Sequence, residues 1–249
     1  IQQYMERDYK IPEDFTDYIY VSQLLQAEGI KIAIEAHRRA QPRCMGTLYW
    51  QLNDCWPVTS WSSVDYFGRW KASQYAVKEA YRMCLVSFEE HKNGIDIYAV
   101  TDDYNDKNVK LKWYFQSLNG AKSKKDSSVF FLPANTSIIA TKLPKRKLPK
   151  GKNINNTMLI AELWYGNNML YRALYYFAKP KDLALRETDI KINIKKTEGG
   201  YFVYLMTNKL AKNVFLSIEA DGHFEQNYFD LLPWEKQVVF LKTNETDLS

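Results

Sequence analysis

Short strand-like segments, separated by turn residues, fill the chain from about Leu85 onward and limit its fold more than any other feature. Turn pairs such as Asn93-Gly94, Asn119-Gly120 and Gly199-Gly200 lie between them. Short strands at this spacing are typical of antiparallel sandwiches. We predict seven strands at Leu85–His91, Ile95–Asp102, Val109–Ser117, Ser127–Pro133, Ser137–Leu143, Thr157–Tyr165 and Met169–Phe177, and five more at Ile190–Lys196, Tyr201–Asn208, Val214–Ala220, Asn227–Leu231 and Gln237–Lys242. Two β-sandwich domains are therefore expected, over residues 85–180 and 181–249.

Residues 1–84 have a different, helical pattern. Pro12, followed by two acidic residues, predicts the first turn of a helix, because that turn favours proline and negative charge. Apolar residues then recur with helical spacing as far as Gly29, where we expect the helix to end. Further helices are predicted over Ile30–Arg39 and Lys71–Tyr81. Between these two, Cys44–Trp50 is apolar throughout, as a strand buried on both faces would be.

The composition excludes several classes of function. The net charge is +5, and most of the excess lies in Lys142–Lys152, whose two prolines and lack of apolar periodicity predict a solvated loop. Nucleic-acid binding would need these cations on a folded face beside stacking aromatic rings, so we predict no nucleic-acid partner. No apolar run reaches the length of about 18 residues that a membrane-spanning helix needs, so we predict no membrane contact. Three cysteines and three scattered histidines predict neither a disulfide framework nor a metal site.

Gly46–Lys71 is the segment with the clearest chemical character. It contains Trp50, Trp56, Trp61 and Trp70, interleaved with amide and carboxylate side chains. Indole rings can cover the apolar faces of a sugar while amides and carboxylates bind its hydroxyl groups, so the mixture suits a saccharide pocket. The alternative is that these tryptophans belong to the core, since indoles are usually largely buried. We favour the pocket for Trp50 and packing against a helix for Trp70.

This segment resembles the barrel end of the glycoside hydrolase family 2 β-mannosidases, through Gly46-Thr-Leu-Tyr-Trp-Gln-Leu-Asn-Asp-Cys-Trp-Pro57 and Trp61-Ser-Ser-Val-Asp-Tyr-Phe-Gly-Arg-Trp-Lys71. Near the other end, Phe224–Glu235 is similar to the C-terminal immunoglobulin-like domain of the same enzymes. The residues between them fit the family by position and pattern only. The resemblance implies a mixed fold: the terminal strand and helices of a (β/α)8 barrel over residues 1–84, followed by two immunoglobulin-like antiparallel β-sandwich domains over 85–180 and 181–249.

The resemblance implies a retaining exo-glycosidase that removes terminal β-D-mannose from mannosides. Such enzymes use two carboxyl groups about 5–5.5 Å apart, one as acid/base and one as nucleophile. In the family both precede the strand that ends at Trp50, and the acid/base follows an asparagine. The glutamates upstream of Trp50 here are Glu6, Glu13, Glu28 and Glu35, and none follows an asparagine. We therefore assign no catalytic residue and no cofactor, and we expect this chain alone to be inactive.

Four residues are carried over as substrate-binding residues. Trp50 matches the tryptophan that ends the last barrel strand and forms the floor of the −1 sugar site. Asn53, Asp54 and Trp56 lie in the loop above it. Asp54 fits equally well a loop-capping role, in which its side chain bonds nearby backbone groups.

The resemblance also implies the partners of the chain. These are a mannoside or oligosaccharide substrate, and the upstream barrel and N-terminal domains of the same polypeptide. The start, Ile1-Gln-Gln-Tyr-Met5, has no initiator methionine and no signal-peptide pattern, which fits a processed chain or a part of a longer one. A homodimer stays open, and the family favours an extracytoplasmic compartment, whether periplasmic, secreted or lysosomal.

Two alternative functions remain at this point. One is a non-catalytic carbohydrate-binding module, although a free module would not include the terminal strand and helices of a barrel. The other is a related family 2 exo-glycosidase, such as a β-galactosidase or an exo-glucosaminidase. The sequence of the motif Trp50-Gln-Leu-Asn-Asp-Cys-Trp-Pro57 favours the mannosidase.

Overall fold

The computed structural model describes residues 2–245. Within them the helices precede the strands. The helices are α1 (Gln2–Asp8), α2 (Phe15–Arg39) and α3 (Ala72–Ala80). The strands are β1 (Cys84–His91), β2 (Gly94–Thr101), β3 (Lys107–Ser117), β4 (Asp126–Leu132), β5 (Thr136–Pro144), β6 (Thr157–Tyr165), β7 (Asn168–Tyr176), β8 (Ile190–Thr197), β9 (Gly200–Thr207), β10 (Ala211–Val214), β11 (His223–Phe224), β12 (Phe229–Leu231) and β13 (Gln237–Lys242).

The long helix α2 begins at Phe15 because Asp14 caps it. The Asp14 carboxylate accepts hydrogen bonds from the backbone amides of Thr16 at 2.8 Å and Asp17 at 3.1 Å. These amides belong to the first turn, where no carbonyl of the helix is available to them. The helix predicted here is confirmed, although Pro12 lies before the cap rather than in the first turn.

The prediction that Gly29 ends this helix is wrong, since α2 continues without a break to Arg39. A glycine inside a helix costs only about 1 kcal/mol relative to alanine. Packing outweighs that cost, because Leu24 before the glycine and Ile34 after it are both buried in clusters with residues of α3. The predicted second helix, Ile30–Arg39, is therefore the second half of α2.

Strands β1 to β7 form the first sandwich, and each strand predicted there is confirmed to within two residues at either end. One sheet has three strands in the order β1-β2-β5, and the other has four in the order β4-β3-β6-β7. All of these pairings are antiparallel. The two sheets enclose one apolar core, which includes Leu85, Val86, Ile97, Leu111, Leu132, Leu159 and Leu163.

Strands β8 to β13 form the second sandwich, with a four-stranded sheet in the order β11-β13-β9-β8 and a two-stranded sheet of β10 and β12. Among the described strands, β8 has only β9 as a neighbour and lies at the edge of its sheet. The strand predicted over Val214–Ala220 is wrong, because β10 ends at Val214. Beyond it, the Asn227 side chain accepts a hydrogen bond from the Leu216 amide and donates one to the Leu216 carbonyl, both at 2.8 Å. A side-chain amide thus takes the place of a partner strand.

The helical segment packs on both sandwiches. Near the start of α2, the Tyr20 hydroxyl donates to the Asn213 carbonyl in the second sandwich at 2.5 Å. Near its end, Arg38 forms an ion pair of 2.8 Å with Asp102, just after β2 of the first sandwich. Tyr75 of α3 also donates to a carbonyl of the second sandwich, at 3.0 Å. Helix α2 therefore contacts both sandwiches, and α3 contacts the second one.

The two sandwiches also share a buried interface. Its apolar part contains Tyr114, Leu118, Met158, Ile160, Leu183, Leu210 and Leu232. Beside this cluster, Arg172 of the first sandwich donates to Glu162 at 3.0 Å and, across the interface, to Glu235 at 2.6 Å. Apolar burial and a network of charges together join the two sandwiches.

The basic run Lys142–Lys152 is less loop-like than predicted. Its first residues belong to β5, which continues to Pro144 and pairs with β2. Lys145–Lys147 then forms a single 3-10 turn, and a second short 3-10 segment covers Gly151–Asn156. The solvated-loop prediction therefore fails for the first residues, where pairing with β2 extends the strand.

Candidate functional site

Cys44–Trp50, predicted to be a buried strand, is not a strand in the structure. No strand among residues 2–245 pairs with it, and Leu48 is fully exposed. A strand that is apolar on both faces needs neighbouring strands and a helical layer to cover it. Tyr49 turns inward and packs beside Ile34 of α2. The run therefore passes over the helices without pairing as a strand, and Met45, Leu48 and Trp50 are exposed.

The loop after Trp50 folds back on itself. The Ser63 backbone amide donates to the Gln51 carbonyl at 3.0 Å. The Val64 amide donates in the same way to the Leu52 carbonyl at 2.8 Å. The peptide bond between Trp50 and Gln51 is cis. The backbone that follows Trp50 is thus held against a later part of the same loop.

A second set of bonds ties this loop to α3. The Ser63 hydroxyl donates to Gln74 Oε1 at 2.6 Å, and the Tyr49 hydroxyl lies 3.0 Å from Ser63 Oγ. Gln74 belongs to the first turn of α3. Tyr49, the returning part of the loop and α3 therefore meet at the Ser63 hydroxyl group.

Asp54 is part of this loop, and its carboxylate is buried within it. The Ser60 and Ser62 hydroxyls each donate to this carboxylate at 2.6 Å, and Lys71 Nζ lies 3.4 Å from Oδ2. The hydrogen bonds from Ser60 and Ser62, with the nearby charge of Lys71, hold the pKa of Asp54 below its usual value. Both carboxylate oxygens are engaged by side chains of the loop, so Asp54 holds the loop through hydroxyl groups and Lys71 rather than through the backbone bonds of a loop cap.

Three tryptophans of the loop are exposed: Trp50 by 74%, Trp56 by 64% and Trp61 by 63%. The core interpretation therefore does not describe them. Asn53 is also exposed, and its side-chain amide donates to the Asp54 carbonyl at 3.2 Å. These side chains share one loop, but within the described residues no ring contact joins Trp50 to Trp56.

Trp70, at the other end of the loop, packs against a helix as predicted. Its ring centroid lies 5.2 Å from that of Tyr75 on α3 and 4.6 Å from that of His223 in the second sandwich, both edge to face. Burial, together with the nearby Lys78, lowers the pKa of His223. The His223 ring, whose lowered pKa favours the neutral form, thus completes an aromatic anchor for the end of the loop.

Sequence reasoning did not single out the residues that hold this loop: Ser60, Ser62, Ser63 and Lys71. A signal was present in the Ser60-Trp-Ser-Ser63 stretch, because hydroxyl groups can replace water around a buried carboxylate. The stretch does not reveal which acidic residue the hydroxyls bind. That choice depends on how the loop closes.

Other kinds of site are not evident in the part of the chain that the structure describes. No group of three or more His, Cys, Asp or Glu side chains in residues 2–245 is placed to hold a metal ion. None of the helices found there combines the length and apolar character needed to cross a membrane. Cys44, Cys55 and Cys84 are free thiols.

Comparisons with known proteins identify the family. Residues 93–182 match a family model described as a mannosidase Ig/CBM-like domain, and residues 185–249 match an Ig-fold domain model. The β-mannosidase A of Aspergillus flavus is 27% identical to this chain over 97% of it, and the β-mannosidase of Mus musculus is 27% identical over 94%. The chain belongs to the β-mannosidase family.

The chain spans less than a third of these relatives, namely 29% of the Aspergillus flavus protein and 28% of the mouse protein. The crystal structure of the β-D-mannosidase from Dictyoglomus thermophilum is similar over 98% of this chain and 30% of its own, with a TM-score of 0.88 and 28% identity. As the resemblance implied, the chain corresponds to the C-terminal portion of a family 2 β-mannosidase. An exo-chitosanase from Amycolatopsis orientalis shares the fold, with a TM-score of 0.72 at 15% identity over 99% of this chain and 34% of its own.

The two family models confirm the immunoglobulin-like character predicted for the sandwiches of this β-mannosidase family member. They begin at residue 93, so the helices and the loop that follows Trp50 lie outside them. The predicted barrel end over residues 1–84 is not confirmed by either model. It stays a proposal, as do the domain boundaries at residues 84 and 180.

Proposed function

We propose that this chain forms one wall of the sugar site in a retaining exo-β-mannosidase. Its family and the names of its relatives support the activity. Its share of less than a third of their length supports a site that is completed by the rest of a polypeptide. The catalytic carboxylates would then belong to that remainder, since no glutamate upstream of Trp50 follows an asparagine. We accordingly propose that this chain alone hydrolyses nothing.

The exposed indole of Trp50 is the observation on which this proposal depends. Its side chain is 74% exposed although hydrogen bonds on the following residues fix the backbone beside it. A large aromatic surface on a fixed base is typical of a binding site or an interface. We propose that the ring packs on the apolar face of the terminal mannose, with Trp56 and Asn53 of the same loop contacting the substrate beside it. Asp54 would act indirectly, as the residue that holds the loop.

We further propose that residues 1–84 are the end of a (β/α)8 barrel, followed by domains at 85–180 and 181–249. The support is the apolar run Cys44–Trp50, in which Met45, Leu48 and Trp50 are exposed. Neighbouring barrel strands would cover such a run and give its backbone groups partners. The substrate class is a mannoside or oligosaccharide with terminal β-D-mannose, and the compartment is extracytoplasmic, as the family resemblance suggests.

The test is a chimera in which this chain replaces the matching portion of the Dictyoglomus thermophilum β-D-mannosidase. We expect the folded chimera to hydrolyse an aryl β-mannoside. Trp50→Ala should lower kcat/KM by about 100-fold, or about 2.7 kcal/mol of transition-state binding. The control is Trp234→Ala, which removes a tryptophan of similar exposure, 67%, from the second sandwich. It should leave kcat/KM within about twofold of the parent chimera.

Three results would contradict the proposal. A chimera with a native circular dichroism spectrum that cleaves an aryl β-galactoside or β-glucosaminide, but not the mannoside, would assign the chain to a related exo-glycosidase. Near-parental kcat/KM in the Trp50→Ala chimera would remove Trp50 from the sugar site. Detectable turnover by the 249-residue chain alone would show that it has its own catalytic carboxylates.

A further inference from the structure

A cavity of about 380 Å³ lies at one end of the first sandwich, formed by residues outside the Trp50 loop. Its walls come from the hairpin between β1 and β2 and from the segment that follows β5. The lining residues are Glu90, His91, Lys92, Gly94, Lys145 and Leu148. Two of them, Lys145 and Leu148, belong to the basic run Lys142–Lys152, which has no role in the proposed function.

Close backbone contacts fix the walls of this cavity. At Gly94 φ is +149°, and a Cβ atom there would lie 2.0 Å from the Leu143 carbonyl oxygen, so only glycine lets the hairpin approach β5 this closely. The Lys145 amide donates to the Asn93 carbonyl at 2.8 Å. Leu148 packs against the core of the sandwich. The cavity is therefore built from the ends of paired strands.

Two lysines without ion pairs among residues 2–245 line this cavity, and two more cations follow one of them in the chain. Lys92 and Lys145 line it, and Arg146 and Lys147 follow on the same 3-10 turn. None of these four side chains has an ion pair with any residue in the described range 2–245. The two lining ammonium groups carry like charges, and an anion bound in the cavity between them would offset their repulsion.

Glu90, the acidic residue that lines the cavity, and Asp96, which contacts the lining residue His91, are already engaged. Glu90, which lines it, accepts a hydrogen bond from the Tyr175 hydroxyl at 2.7 Å. Asp96 lies 3.2 Å from His91 Nε2 and 3.7 Å from Lys142 Nζ. The lining therefore contains one carboxyl side chain and two lysines. This excess of lysines over carboxylates favours a ligand with a compact, negatively charged group.

We propose that this cavity binds an oxyanion, phosphate or carboxylate, on a ligand of monosaccharide size. Lysine ammonium groups are compact charges that bind such oxygens through charge-assisted hydrogen bonds. The volume of about 380 Å³ lies within the range of small-molecule sites. No Phe, Tyr or Trp lines the cavity, so it lacks the stacking surface that nucleic-acid bases need. The proposal is independent of the β-mannosidase activity, because the cavity and the Trp50 loop share no residue.

Isothermal titration calorimetry on the 249-residue chain at low ionic strength tests this site. The probes are glucose 6-phosphate, glucuronate, inorganic phosphate and uncharged glucose. We expect saturable binding of one or both sugar anions, weakened by added salt because the charges are exposed. Glucose should give no heat of binding. Inorganic phosphate that binds as tightly as the sugar anions, or glucose that binds equally well, would overturn the proposal.

Matched variants locate the site. Lys92→Gln with Lys145→Gln should weaken binding about tenfold or more, since both charge-assisted contacts are lost. Lys110→Gln with Lys124→Gln removes the same charge from exposed positions on the same sandwich and should change affinity less than about twofold. Equal weakening by both pairs would show diffuse attraction only and would overturn the site. Amide NMR shifts on titrating the parent chain give a second readout, and unmoved Gly94 and Lys145 signals would also overturn it.

Discussion

Arg38 Nη2 lies 2.8 Å from Asp102 Oδ2, and this pair joins the end of the long helix to the first sandwich. Nη1 of the same guanidinium donates to the carbonyls of Ala80 at 2.6 Å and Arg82 at 2.8 Å. Arg38 is buried, so these bonds are shielded from water. The Arg38 guanidinium thus donates hydrogen bonds to the end of α3, to the connection between α3 and β1, and to Asp102 after β2.

Arg38→Met should destabilise the chain by about 2–3 kcal/mol, because it leaves buried carbonyl groups without donors. Arg43→Met is the control: that arginine is exposed, and its loss should cost less than about 0.5 kcal/mol. Urea unfolding followed by circular dichroism measures both. Equal midpoints for the two variants would show that the Arg38 bonds contribute no net stability.

Asp54→Asn should loosen the loop after Trp50, since the neutral amide is a weaker acceptor for Ser60, Ser62 and Lys71 than a carboxylate. Hydrogen exchange should become faster at the Ser63 amide, while exchange in the sandwich strands is unchanged. Asp126→Asn, at an exposed position in β4, is the control. Unchanged exchange at Ser63 in Asp54→Asn would contradict the holding role.

The same carboxylate makes the loop sensitive to acid. Hydrogen bonds from Ser60 and Ser62, with the charge of Lys71, keep the pKa of Asp54 below its usual value. Its contribution is therefore complete above the unfolded-state pKa of about 3.9 and is lost as pH falls through the lower folded-state pKa. Protection of the Ser63 amide should decrease below about pH 4 in the parent chain, beyond the change in intrinsic exchange rate. Asp54→Asn should lack this step, and an identical step in the variant would assign it to another group.

Arg172→Met should weaken the interface between the two sandwiches. It leaves Glu162, which is only 3% exposed, without its cation and also removes the contact with Glu235. An unpaired buried carboxylate costs about 3 kcal/mol or more. Scanning calorimetry should show a large loss of stability, whereas Lys110→Met on an exposed position of β3 should show almost none. Equal transition temperatures would contradict a stabilising role for the pair.

Neutralising Lys145, Arg146 and Lys147 together to glutamine should change the free energy of unfolding by less than about 0.5 kcal/mol. All three side chains are exposed, and the bonds of this turn to its surroundings come from the backbone. Thermal unfolding followed by circular dichroism checks this. Loss of the cooperative transition in the triple variant would mean that the turn is structural.

The strands of the first sandwich could be predicted from sequence because their information is local. Each is a short apolar or alternating segment with a turn at both ends, and β1–β2, β3–β4 and β6–β7 pair with their neighbours in the chain, although β2–β5 and β3–β6 do not. The packing of Trp70 also followed from its position before a helix. By contrast, Cys44–Trp50 has the pattern of a buried strand, but a strand exists only where partners pair with it, and sequence pattern alone does not supply partners.

The errors elsewhere have the same origin in tertiary structure. Gly29 is a helix-ending signal that the packing of Leu24 and Ile34 overrides. The segment after Val214 reads as a strand, yet the side chain of Asn227 takes its backbone bonds. For the candidate site, the sequence indicated which tryptophans and polar residues share a loop. It did not indicate that Asp54 faces the interior of the loop while Trp50, Trp56 and Trp61 face outward.

Among the strands of residues 2–245, β8 lies at the edge of its sheet, a position at which a strand from another molecule could be added. Ile192 and Ile194 on it are exposed and would favour such an addition. Lys191 and Lys195 alternate with them, and charged side chains on an edge strand oppose the approach of a further strand, above all one from an identical chain. We therefore expect this edge to resist amyloid-like stacking. Any association between copies would then have to use another surface.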